Sequence, residues 1–138
     1  MPVTRKAHSR RTETPNGVMT TFASPTQGGS RTALWGVAMA PGKEGPLHAF
    51  DTEQVWTVTA GGAVVVLGGE TFDIGPGDTV VMPADLPRQV FAAPEDGLTA
   101  TVAAPAGGTA YNPGGITPDG ACAQAPRDAD RVIPPWTV

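Results

Sequence analysis

The sequence predicts an all-β domain, an antiparallel sandwich or barrel, and three observations lead there. Eighteen Gly and 15 Pro in 138 residues interrupt helices and punctuate strands. Short apolar or alternating runs recur between them. The turn signals Gly61-Gly62, Gly68-Gly69 and Gly75-Pro76-Gly77-Asp78 space these runs as hairpins in series.

Taken in order, residues 1–16 are polar and patternless, and read as a flexible N-terminal arm ending at the turn signal Thr14-Pro15-Asn16-Gly17. Val18 to Phe22 is β-compatible, and Ala33 to Ala40 alternates around Leu34, Trp35, Val37 and Met39. Leu47 to Thr59 reads as two strand segments with a bend near Asp51. Ala63 to Leu67, Glu70 to Ile74, Thr79 to Met82, Arg88 to Ala92 and Leu98 to Ala103 complete eight or nine strands. The domain therefore spans residues 17–105, and a Gly/Pro-rich tail, 106–138, is expected to pack on it. At most a short helix fits around Ala121 to Ala125. Trp136, beside two prolines in a polar segment, is expected to dock on the barrel because its indole is a large apolar surface.

Composition narrows the function. A hydrophobic fraction of 40% supports one core, and 138 residues are too few for two. Net charge is −4, and the only basic cluster, Arg5, Lys6, Arg10 and Arg11, has no interleaved aromatics, so no nucleic-acid partner is expected. No apolar run reaches the roughly 20 residues of a membrane span, and no apolar stretch follows the N-terminal basic residues. The expected location is cytoplasmic, with no membrane partner. Cys122 has no second cysteine to pair with and no neighbouring His to activate it, so it is read as inert. Two lysines against seven arginines, with much Ala, Gly and Pro, suggest a GC-rich bacterial genome.

The stretch from Gly42 through His48, Phe50 and Gln54 to Gly61 has the spacing of the first cupin motif, a Gly, two His, a Glu and a closing Gly. Gly77 and Pro83 match the second motif, where Arg88 stands at the position of its His. Gly69-Glu70 and Gly77-Asp78 repeat the cadence between them. The chain thus resembles the cupin superfamily, specifically a small single-domain bacterial cupin with a degenerate ligand set. The resemblance implies a small antiparallel β-barrel, or double-sheet jelly roll. It also implies a homodimer through an exchanged N-terminal strand, for which Val18 to Phe22 is the candidate.

In metal-bearing cupins the four motif positions converge on one ion; here they are His48, Phe50, Gln54 and Arg88. Phenyl and guanidinium groups offer no lone pair, and one imidazole with one carboxamide falls short of a catalytic zinc or non-haem iron set. The cofactor is thus left open, with a divalent metal less expected than in a typical cupin. A metal, if held, would use His48 with Gln54, or with Glu53 after a shift of one residue.

The same residues suit a metal-independent enzyme, an isomerase, cyclase or lyase acting on a small organic molecule. His48 serves as acid or base, Arg88 holds an anion and Gln54 orients. Phe50, Trp56, Glu53 and Tyr111 are candidate substrate contacts. The alternatives are a metal-dependent oxygenase or lyase with an atypical ligand set, and a non-catalytic small-ligand-binding module. Each residue also has a structural reading: His48 bonded to a loop carbonyl, Arg88 paired with Asp85 or Glu53, Phe50 filling the core.

Overall fold

The computed structural model describes residues 2–113 and 131–138. Cys122 and the short helix expected around Ala121 lie outside the described residues. Among those described there are eleven strands: β1 Arg10–Thr14, β2 Gly17–Ala23, β3 Thr32–Met39, β4 Ala49–Phe50, β5 Gln54–Gly61, β6 Ala63–Leu67, β7 Glu70–Ile74, β8 Thr79–Met82, β9 Arg88–Ala92, β10 Leu98–Pro105 and β11 Ala110–Tyr111. No helix among them is long and apolar enough to cross a membrane.

Every named ladder is antiparallel. A six-stranded sheet runs β1-β2-β3-β10-β5-β8, a three-stranded one β7-β6-β9, and β11 pairs with β4. This is the jelly-roll architecture that the strand count and the motif resemblance predict. Period-2 patterning supplies the inner faces: along β3 and β10 alternate residues are buried, and Trp35, Val37, Val102 and Ala100 meet Val65 and Val90 of the smaller sheet in one core.

The bend near Asp51 falls where expected, separating β4 from β5. Asp51 is held there by Thr109, whose backbone N–H and hydroxyl both donate to its carboxylate at 2.7 Å. Ahead of β4, residues 44–48 run antiparallel along β9, with the Gly45 N–H donating to the Val90 carbonyl at 2.8 Å. This added edge brings the first motif against the second.

Two features differ from the sequence expectation. Residues 10–14, expected within a loose arm, form β1, paired in register from Arg10↔Thr21 to Thr14↔Gly17. Arg-Arg-Thr-Glu-Thr has no apolar alternation because an edge strand faces water along its length; its order comes from the ladder, and from the Thr14 hydroxyl, which accepts from Gly17 N–H at 3.1 Å. Second, β11 forms within the Gly/Pro-rich tail, where two residues are too few for a pattern to register.

Trp136 docks as expected. A short 3-10 turn, Pro135–Thr137, places its ring in the core at 6% exposure, and the Thr21 hydroxyl donates to its carbonyl at 2.7 Å.

Candidate functional site

The site begins with a backbone pairing. His48 and Arg88, forty positions apart in sequence, exchange both main-chain hydrogen bonds, at 3.1 and 2.9 Å. Residues so paired send their side chains to the same face of a sheet. Arg88 shares that inner face of β9 with Val90 and Ala92.

Both side chains line a mostly apolar cavity that also receives Phe50, Gln54, Trp56 and Trp136. Its volume, taken as the space open to water centres, is about 70 Å³.

His48 is partly buried, and its Nδ1 lies 2.6 Å from the Pro46 carbonyl oxygen. A carbonyl only accepts, so Nδ1 carries the proton and Nε2 keeps its lone pair. Burial, the largest influence, pushes the imidazole pKa down to about 4; the Pro46 bond opposes this, and the Arg88 cation adds to it. The ring is neutral at pH 7. The loop-carbonyl bond expected of a structural histidine is therefore present, and it also sets the tautomer that leaves a base available.

Arg88 is 1% exposed. Its Nη2 donates to the Pro83 carbonyl at 3.0 Å and its Nε to the Leu86 carbonyl at 3.4 Å, while Nη1 is buried without a partner among the described residues. The guanidinium carbon lies 5.2 Å from the centre of the Phe50 ring. Burial lowers its pKa to about 10, against the raising influence of Tyr111 and Asp85, so it remains a cation. The ion pair with Asp85 or Glu53, the alternative structural reading of Arg88, is not formed. The only ion pairs among the described residues are Arg11 with Glu13 and Arg131 with Asp51. A buried cation held by two carbonyls and a ring face, with no carboxylate in ion-pair contact, is costly to keep.

Phe50, 5% exposed, packs edge-on to His48 with ring centres 4.9 Å apart, so it contacts both polar residues and serves the core as well. Gln54, 2% exposed, faces the cavity and accepts from the Trp56 indole N–H at 3.0 Å. Its side-chain amide is thereby oriented.

Two expected contacts are corrected. Glu53 is exposed: β5 begins at Gln54, and adjacent residues of an extended chain face opposite ways, so the one-residue shift does not occur. Tyr111 does not line the cavity. Its hydroxyl donates to Asp85 at 2.6 Å, and Arg131 lies 4.0 Å over its ring, which makes it an anchor for the tail.

Residues missed in the sequence include Trp35 and Met39, on the inner face of β3, and Thr14 and Asn16 of the β1–β2 turn. The alternation of β3 was a usable signal for the first two. Nothing local marked the others.

The residues present do not fit a divalent metal. Of the four motif positions His48 alone offers a strong ligand atom: the Gln54 amide oxygen is a weak one and already accepts from Trp56, and a buried cation stands beside them. No group of three or more His, Cys, Asp or Glu side chains able to hold an ion occurs among the described residues.

Comparison with known proteins agrees with this architecture. The polyketide cyclase RemF from Streptomyces resistomycificus superposes with a TM-score of 0.65 and 20% identity, over 76% of this chain and 79% of that one. An RmlC-like cupin from Shewanella frigidimarina gives 0.66 and 17%, over 78% and 93%. KdgF from Halomonas sp. gives 0.63 and 21%, over 75% and 92%. At such identities the likeness establishes the fold. A search of curated protein sequences finds no match. The family profile described as the cupin domain matches residues 35–103, half of the chain. With that match and the jelly-roll sheets in place, the chain belongs to the cupin family.

Proposed function

We propose that this cupin acts on a small organic anion by metal-independent proton transfer, as an isomerase, cyclase or lyase. The observation behind the reading is the placement of a neutral imidazole and an unpaired buried guanidinium on one inner face, in one cavity. His48 Nε2 takes a proton from a carbon next to a carbonyl or carboxylate. The negative charge that develops on oxygen is offset by the Arg88 guanidinium. Return of the proton from Nε2 to another carbon completes an isomerisation; loss of a leaving group instead gives an elimination. Gln54, oriented by Trp56, positions the substrate. Among structures of the same fold, RemF is a polyketide cyclase and DddQ from Ruegeria pomeroyi a DMSP lyase, which supports chemistry of this class.

A base with a pKa near 4 is weak at neutral pH. A bound anion offsets the Arg88 charge and raises the imidazole basicity at the moment it is needed. The same low basicity favours a second reading, a small-ligand-binding module without turnover. The two separate in D2O, with and without a chelator, with proton NMR following a panel of small oxo- and aromatic acids. Deuterium entering an acid with the wild type and not with His48→Gln supports the enzyme. Binding without exchange supports the module, and exchange that stops on chelation overturns metal independence.

We also propose that the chain forms a homodimer. Val18–Phe22 lies within β2, already paired on both sides, so the free edge is β1, beside the 40% exposed Phe22.

A further inference from the structure

Asp85 is the one described residue other than Gly whose φ is positive, at 63°. Every other described position of that kind is Gly, which enters the left-handed region without a Cβ clash. Asp enters it less readily, and a residue kept in such a conformation points to a task for its side chain.

The loop around Asp85 is the cradle of Arg88. Pro83 and Leu86, on either side of it, supply the carbonyls that accept from Arg88 Nη2 and Nε, at 3.0 and 3.4 Å. The chain direction at Asp85 therefore sets how the two carbonyls stand to each other. Two ties fix that direction. The Asp85 N–H donates to the Phe50 carbonyl at 2.7 Å, and the Phe50 ring lies 5.2 Å from the guanidinium carbon. The Asp85 carboxylate accepts from the Tyr111 hydroxyl at 2.6 Å, the length of a charge-assisted bond. Tyr111 in turn pairs with Ala49 where β11 meets β4, one residue before Phe50.

A glycine would suit this backbone better and could make the same main-chain bond to Phe50. What it lacks is the acceptor for Tyr111. Asp78, in the turn between β7 and β8, shows the contrast: its carboxylate stays within its own turn, accepting from the Gly75 N–H at 2.8 Å. The Asp85 carboxylate is met from 26 positions away. It also bears on the charge of Arg88. Burial, the largest influence, works against that charge, while Tyr111 and then Asp85 work for it. Asp85 does so without forming an ion pair with the guanidinium.

We propose that Asp85 is a positioning residue of the site: clasped by Tyr111, it holds the Pro83 and Leu86 carbonyls on Arg88 and so fixes the guanidinium beside His48. The proposal acts through Arg88, and rests on reading that residue as the group that offsets the developing negative charge.

The test follows the Arg88 Nε–H signal of the full chain, 15N-labelled, identified by its loss in Arg88→Met. Asp85→Gly keeps the left-handed turn and removes the clasp. The expected result is a displaced Arg88 signal that exchanges with water about tenfold faster than in wild type. Tyr111→Phe, which keeps the carboxylate, should do the same. Asp85→Asn tolerates positive φ and still accepts from Tyr111, so its exchange should stay within about twofold of wild type. A residue that merely shapes the turn predicts the opposite, since Gly would then leave the Arg88 signal in place. A wild-type signal in Asp85→Gly or in Tyr111→Phe overturns the proposal, and so does exchange beyond about twofold in Asp85→Asn. Deuterium entry into the panel of acids separates this outcome from the reading beneath it. Entry that is absent from wild type, or unchanged in Arg88→Met, overturns the role of Arg88 in turnover while the cradle stands on the NMR signal. Entry lost in Arg88→Met, with a wild-type Arg88 signal in Asp85→Gly, overturns the cradle alone.

Discussion

His48 and Arg88 are main-chain partners across an antiparallel bridge, each donating to the other's carbonyl, at 3.1 and 2.9 Å. The fold thereby keeps the proposed base and the proposed anion holder side by side without any side-chain bond between them. Either can be changed while the pairing remains, which makes their roles separable by experiment.

Arg88→Met should leave the thermal midpoint unchanged or raise it by a few degrees, corresponding to about 1 kcal/mol in a domain of this size. It removes a buried cation with no carboxylate partner, at the loss of two bonds to carbonyls. Anion binding should disappear in the same variant. Calorimetric unfolding with a benzoate titration checks both, and a large drop in the midpoint would assign Arg88 to the fold instead.

Stability should fall in acid through His48. Its folded pKa of about 4 lies below the ordinary 6.5, so the unfolded chain binds the proton first. The contribution is complete above pH 6.5, declines as pH falls from there, and is lost below about 4. A difference of 6.5 − 4 = 2.5 units amounts to about 3 kcal/mol. Urea unfolding of wild type and His48→Gln between pH 7 and 4 should show a steeper decline in wild type.

Glu53→Gln should leave ligand binding within twofold and stability within about 0.5 kcal/mol, because the carboxylate faces solvent and makes no ion pair. Titration of the variant with 2-hydroxybenzoate, beside its urea midpoint, is the check. A loss of binding would restore the one-residue shift that the structure does not show.

Light scattering should give twice the chain mass of 14.1 kDa. Proline at Thr12, on the edge strand, should shift the protein toward the single-chain mass if β1 pairs across the dimer. A wild-type mass of one chain contradicts the proposed dimer.

Much of this protein was legible in its sequence. Alternation and Gly/Pro punctuation located β2, β3 and β5 to β10 closely, since both depend on neighbouring residues: side chains alternate along a strand, and turns need particular residues. Motif spacing singled out His48, Phe50, Gln54 and Arg88, and all four meet at the cavity. The tertiary structure decided the remainder. That β1 is a strand follows from its ladder with β2, not from its polar residues. That Gln54 faces inward and Glu53 outward follows from where β5 begins, a matter of register that one residue reverses. Tyr111 was excluded and Trp136 admitted by contacts spanning 26 and 115 positions, with Asp85 and Thr21. Such contacts leave no local trace, because a side chain's partner across the fold is chosen by packing and not by the residues beside it.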